Sequence, residues 1–167
     1  MNASAHSLHV RRAVVAGLLG TAVLTTLWTM EPAVGLPEIA VGQILSSFMS
    51  VSVAQLNVGI VGGWVAHLAI GVVLALAYAA AFADRLPGSA LARGAAYGLM
   101  LFCVAQLVFM PLVGAGFFAR GDIALLIGSL LGNVAYGLVV AWIYDLPARR
   151  MVAVEQGNFS QRKVESP

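Results

Sequence analysis

Charge is scarce in this sequence. Of 167 residues only 9 are Lys or Arg and 7 are Asp or Glu, while 60% are apolar. A soluble domain of this length carries far more charge on its surface, so the excess apolar surface must face something other than water. The lipid bilayer is the partner that composition predicts. The net charge of +2 is too small, and the basic residues too dispersed, for a nucleic-acid partner. A single cysteine, Cys103, excludes an intrachain disulfide, and its place inside an apolar run predicts a small buried hydrophobe. There is no Ser-His-Asp set, no paired carboxylate and no phosphate-cradling glycine loop, so no enzyme activity is expected.

What is present is a series of uncharged runs. Four are long enough to cross a bilayer as helices, which takes about 20 residues: 13–30, 58–83, 94–113 and 123–144. The expected fold is an all-α membrane domain over 13–146, between an N-terminal tail, 1–12, and a polar tail, 147–167. The distribution of positive charge orients it. With four spans, Arg11, Arg12, Arg85, Arg93, Arg149, Arg150, Arg162 and Lys163 share one side and only Arg120 lies opposite. Treating 39–55 as a fifth span gives six against three. Four spans with both termini cytoplasmic, in a bacterial inner membrane, is therefore the expected topology. A cleavable signal peptide is disfavoured, because no small-x-small site follows the first apolar run.

The segment 37–50 reads as an outer-face helix, amphipathic or re-entrant. Pro37 and Glu38 suit a first turn. Val41, Ile44, Leu45 and Phe48 share one face, with Gln43, Ser46, Ser47 and Ser50 turned away. The polar tail is expected to be disordered, with Arg149 and Arg150 attracted to anionic lipid. Glu31, Glu38 and Asp122 are expected to be solvated at the outer face, leaving no carboxylate inside the membrane.

The two halves read as copies of one hairpin. Ala69, Gly71, Val73, Ala75 and Tyr78 recur as Ala135, Gly137, Val139, Ala141 and Tyr144, a constant shift of 66. The first and third spans match more loosely, through Arg12, Gly17 and Leu18 against Arg93, Gly98 and Leu99. Two copies inserted in the same direction predict a pseudo-two-fold axis along the membrane normal. Small residues at four-residue spacing, Gly62 with Ala66, Gly128 with Gly132 and Gly94 with Gly98, mark expected helix-packing faces.

The candidate site is polar and lies within the spans. His67 stands nine residues beyond Val58, about 14 Å deep at the helical rise. Asn133 is its repeat counterpart, and Thr25 and Gln106 correspond on the first and third spans. Ionisable residues inside a membrane tend to mark pathways, so one reading is a pocket for a small solute or ion. The plainer reading, favoured on residue types alone, is that these side chains hydrogen-bond one another or backbone carbonyls; Thr21, Thr25 and Thr29 form a stripe suited to bonding within their own helix. No metal or cofactor is expected: haem needs facing histidines, and His6 and His9 share only a common chance spacing. A homodimer that encloses the pocket is one expected assembly. Docking of other membrane proteins by a structural subunit is the alternative.

Four patterns, Met30-Glu-Pro32-x-x-Gly35-Leu-Pro37, Gly63-Trp-x-Ala-His67, Met110-Pro111-x-x-Gly114-Ala-Gly116 and Gly128-Ser-Leu-Leu-Gly132, resemble an uncharacterised family of small bacterial inner-membrane proteins. The resemblance covers roughly 13–144. It implies a four-helix fold and nothing about activity. In that family a second histidine often stands where this chain has Asn133, a departure that puts any two-histidine site in doubt.

Overall fold

The computed structural model of the chain describes residues 9–52 and 59–164. Residues 1–8 with His6, the segment 53–58 holding the expected start of the second span, and the side chains of 47–52, of Ile60 and of everything beyond Asp145 lie outside the described residues. Helix α1 spans Val10–Met30 and ends in a 3-10 turn, Glu31–Val34. Helix α2 spans Val41–Ser52. Helix α3, Gly59–Ala77, runs on through a wider π turn, Tyr78–Phe82. Helix α4, Ala90–Val104, is followed by a second π turn, Ala105–Phe109, and the short α5, Met110–Leu112. Helix α6 spans Ile123–Val164. Four segments are long and apolar enough to cross a membrane: Val10–Val34, Val61–Phe82, Ala90–Leu112 and Ile123–Asp145.

Local chemistry sets the boundaries. Ser89 caps α4 by accepting from the Ala92 amide at 3.2 Å, and Asp122 caps α6 by accepting from the Ala124 and Leu125 amides at 3.0 and 3.1 Å, the usual work of short polar side chains at an N-terminus. Pro111 has no N–H to offer Leu107, and the π turn Ala105–Phe109 immediately before it widens the helix where that bond is missing. Gly35, in the left-handed region at φ 82°, ends the 3-10 turn as only glycine does without strain. The loop before α6 takes three non-glycine residues into that region, Phe118, Ala119 and Arg120, and is tied by Arg120 donating to the Gly114 carbonyl at 3.1 Å.

Several expectations are corrected here. Helix α2 begins at Val41, and Pro37 and Glu38 lie in the non-helical stretch before it, because the 3-10 turn and Gly35 have already reversed the chain. The polar tail is not disordered along its length: α6 continues through it, past Pro147, to Val164. Cys103 is exposed rather than buried, because the buried face of α4 runs through Gly94, Tyr97, Gly98 and Leu101.

The four long helices run alternately up and down, so that 9–13, 78–97 and 141–145 share one end, the terminal end, and 28–35 and 109–129 the other. Helix α1 packs against α3 and along the length of α6, and α4 packs against α6. These seams are made of glycine. A Cβ added to Gly17 would lie 2.8 Å from Val72 Cα and 3.0 Å from Ala75 Cβ; one added to Gly94 would lie 2.8 Å from Leu138 Cα and 3.1 Å from Ala141 Cβ. By contact, Gly17 therefore takes in the first hairpin the place that Gly94 takes in the second, one turn away from the pairing with Gly98 read from sequence. Thr25 and Gln106 accordingly do not stand at the same level, because their mutual alignment rested on that register.

Helices α3 and α4 are different. They meet near the terminal end, where Tyr97 donates to the Leu74 carbonyl at 2.6 Å and its ring packs on Tyr78 and Phe82 at 5.1 and 5.2 Å. Toward the far end they scarcely touch. Helix α2 lies beside that gap and crosses α3 where Gly63 faces the backbone of Gly42 and Ser46.

Candidate functional site

Where α3 and α4 part, a cavity of about 240 Å³ opens, bounded by α1, α2, α3, α4 and α6. Its walls are overwhelmingly apolar: Leu24 of α1, Val41 and Leu45 of α2, and Leu74 and Leu101 of α3 and α4. Ile70 on α3 and Val104 on α4 both line it and are exposed on the outer surface. The polar lining consists of Thr21, His67, Ser129, Asn133 and the Trp28 and Tyr136 rings with their single polar atoms.

These polar groups are tied up in two separate sets. In the first, Thr25 Oγ1 and His67 Nε2 stand 3.1 Å apart. His67 is buried, stacked on Trp28 at 6.0 Å and met edge-on by Trp64 at 6.0 Å. Trp64 in turn lies on Gly42 of α2 and Trp28 lies on Gly132 of α6, so the imidazole is positioned by three neighbouring helices. In the second set, Gln106 Nε2 donates to Ser129 Oγ at 2.9 Å, while Asn133 Nδ2 donates to the Ser129 carbonyl at 2.8 Å and approaches Ser129 Oγ at 3.4 Å. Gln106 is wholly buried, at 0% exposure, behind Ser129 and away from the cavity. Among the described residues, His67 Nδ1 and Asn133 Oδ1 make no hydrogen bond. They are the uncommitted polar atoms of the lining.

Of the four candidates taken from sequence, His67 and Asn133 therefore border the cavity, while Thr25 and Gln106 stand behind and brace the lining. Sequence reasoning missed Ser129, which joins Gln106 to Asn133. A serine four residues before an asparagine on one helix was the available signal. It also missed the two tryptophans, Trp28 and Trp64. Gly94 and Gly98 face α6. Gly128 faces Glu31 of the 3-10 turn and Gly132 faces Trp28 of α1, and Gly62 and Ala66 are half-buried beside the close approaches at Gly63 and Gly71.

Two carboxylates lie inside the bundle. Asp145 is buried at the terminal end and paired with Arg93 at 3.0 Å; Arg93 also donates to the Ala83 carbonyl, which seals that end. Glu31, expected in solvent, is 5% exposed, because the 3-10 turn after α1 folds it inward against Gly128. Glu38 and Asp122 are exposed. No group of three or more His, Cys, Asp or Glu side chains placed to hold a metal occurs among the described residues.

Fold and site together define a class: a bundle of four helices of membrane-crossing length, closed at one end and hollow toward the other. The chain belongs to the family of unknown function DUF6789, whose model matches residues 8–153. No curated protein and no solved structure matches it.

Proposed function

We propose that this is a multi-pass inner-membrane protein that binds a small amphipathic molecule in the cavity between α3 and α4. The observation that carries the reading is the cavity itself. It is apolar, Ile70 and Val104 of its lining are exposed on the outer surface and would give it a mouth toward lipid, and His67 Nδ1 and Asn133 Oδ1 are free to receive a polar group. Ligand pockets are commonly apolar clefts with a few placed polar atoms that fix orientation. A molecule dissolved in lipid would enter through such a mouth without crossing water. An ion is the weaker occupant, because most of the polar lining is already hydrogen-bonded to itself and so much apolar wall offers nothing to replace a hydration shell.

The count of eight basic residues against one supports cytoplasmic termini. The like contacts of Gly17 with Val72 and Ala75, and of Gly94 with Leu138 and Ala141, support descent of the two hairpins from one. The burial of Val41 and Leu45 against the cavity supports a re-entrant α2 rather than one resting on the surface.

The test is native mass spectrometry of protein extracted gently from its host membrane, beside Val104→Trp and His67→Ala. A small amphipathic molecule held by the wild type, lost when Val104→Trp blocks the mouth and weakened in His67→Ala, is the expected result. An empty chain, or one that retains a second protein regardless of both substitutions, would instead make this a structural or assembly subunit.

A further inference from the structure

Glu31 has no role in the cavity lining, yet its carboxyl is buried. Both carboxyl oxygens are fully shielded and neither has a hydrogen-bond partner among the described residues. The surface beneath them is Gly128: a Cβ added there would stand 2.5 Å from each oxygen, so glycine at this position makes the space for the carboxyl. Among the described residues no counter-charge pairs with it. Helix α6 presents Gly128, α1 presents Trp28, and the charged groups of the connecting segments, Glu38, Arg120 and Asp122, are exposed and unpaired with Glu31. A carboxylate without donors or a cation is not sustained in such a place; a carboxylic acid is.

The geometry points to Glu31 as a proton-binding site, holding its proton while packed on Gly128 and releasing it only when the Trp28 indole turns to donate to the carboxylate. Trp28 is three residues earlier, in the last turn of α1, with Glu31 at the C-cap of that helix, a spacing that places two side chains side by side. Its Nε1 now donates to the Gly128 carbonyl over a long 3.3 Å, a bond readily exchanged for a shorter, charge-assisted one. On release the O–H bond breaks, the proton passes to water at the far end, and the indole N–H takes its place on the oxygen. Because Trp28 lines the cavity and stacks on His67, proton release moves a wall of the cavity. The consequence for a ligand rests on the function proposed above; the protonation of Glu31 does not.

The test is infrared spectroscopy of the full-length protein in lipid vesicles. At neutral pH the wild type is expected to show the C=O stretch of a protonated carboxyl, absent from Glu31→Gln and retained in Asp145→Asn. Glu31→Asp keeps a carboxyl and is expected to shift the band rather than remove it, which separates loss of the site from loss of the fold. In Trp64→Phe/Trp142→Phe, where Trp28 is the sole tryptophan, indole emission is expected to shift over the pH range in which the band disappears, and to stay constant once Glu31→Gln is added. No band at neutral pH, or a band that persists in Glu31→Gln, overturns the proton site. A band whose loss leaves Trp28 emission unchanged overturns the exchange of partners. None of these readouts needs a cavity ligand.

Discussion

The two hairpins make like seams and fill them differently. In the first, Thr21 stands over Gly71; in the second, Gly98 stands over Gly137, and backbone meets backbone. By the same contacts Arg93 and Asp145 of the second hairpin occupy the places held by Ala16 and Ala79 in the first, both of them buried. Asn133 occupies the place of His67. The second hairpin is thus closely packed and ion-paired. The first is spaced by side chains, carries α2 on its flank and presents His67 to the cavity. Where lipid offers no hydrophobic drive between helices, contact distance decides how firmly they hold. The looser hairpin is the one that leaves room for a site.

The ion pair is the sharpest difference, and its removal should have the largest effect. Arg93→Ala removes the guanidinium from the buried Asp145 and is expected to cost about 3 kcal/mol, the lower end for such a pair because Arg93 is 22% exposed. Arg93→Ala/Asp145→Ala copies the first hairpin, where alanines fill both places, and should recover to within about 1 kcal/mol of the wild type. Thermal unfolding of the purified protein in detergent measures both. A double variant as unstable as the single would mean that the hairpins are not interchangeable at this level.

The glycine seams come next. Gly137→Ala drives a methyl into the backbone of Gly94 and Gly98, which no side-chain movement relieves, and is expected to cost about 2 kcal/mol. Gly71→Ala meets instead the hydroxyl of Thr21, so Thr21→Ala should restore much of the loss there and none of it at Gly137. Equal rescue at both sites, or at neither, would erase the distinction between a backbone seam and a side-chain seam.

How much of this was legible beforehand depends on the range of each interaction. The four long helices are written in local composition, and all four appear in the structure. The caps at Ser89 and Asp122 are equally local. The expected boundaries 13–30 and 94–113 differ from the helices chiefly because charged residues were taken to end a span. Arg11, Arg12 and Arg93 instead lie inside helical turns, with Arg93 paired to a carboxylate 52 positions away. Register is the part that sequence hid. Apolar helices rich in glycine align with themselves at several shifts, and Gly94 and Gly98 differ by one turn, so only contact distances decide which of them matches Gly17. Glu31 was misplaced for a related reason: a short 3-10 turn sends it inward, and nothing local marks the glycine that receives it.

The polar sets give smaller effects. Ser129→Ala removes the acceptor of the wholly buried Gln106 amide and should cost about 1 kcal/mol, the modest value usual for such bonds between helices in a membrane. Gln106→Leu in the same background should restore it by removing the stranded donor.

The smallest change in stability should come from making the first hairpin resemble the second at the site itself. His67→Asn loses the contact with Thr25 and the stacking on Trp28. Yet asparagine can bond back to its own helix, as Asn133 does to the Ser129 carbonyl, so the net cost should be about 0.5 kcal/mol. If the cavity only needed a polar lining, this variant would bind as the wild type does. The arrangement argues otherwise. His67 is held between two tryptophans that touch α2 and α6, and an asparagine cannot fill that space. Ligand retained in native mass spectra should therefore fall sharply in His67→Asn while thermal unfolding barely moves. Retention at the wild-type level would show that the imidazole serves the packing of α1 on α3 and not the occupant of the cavity.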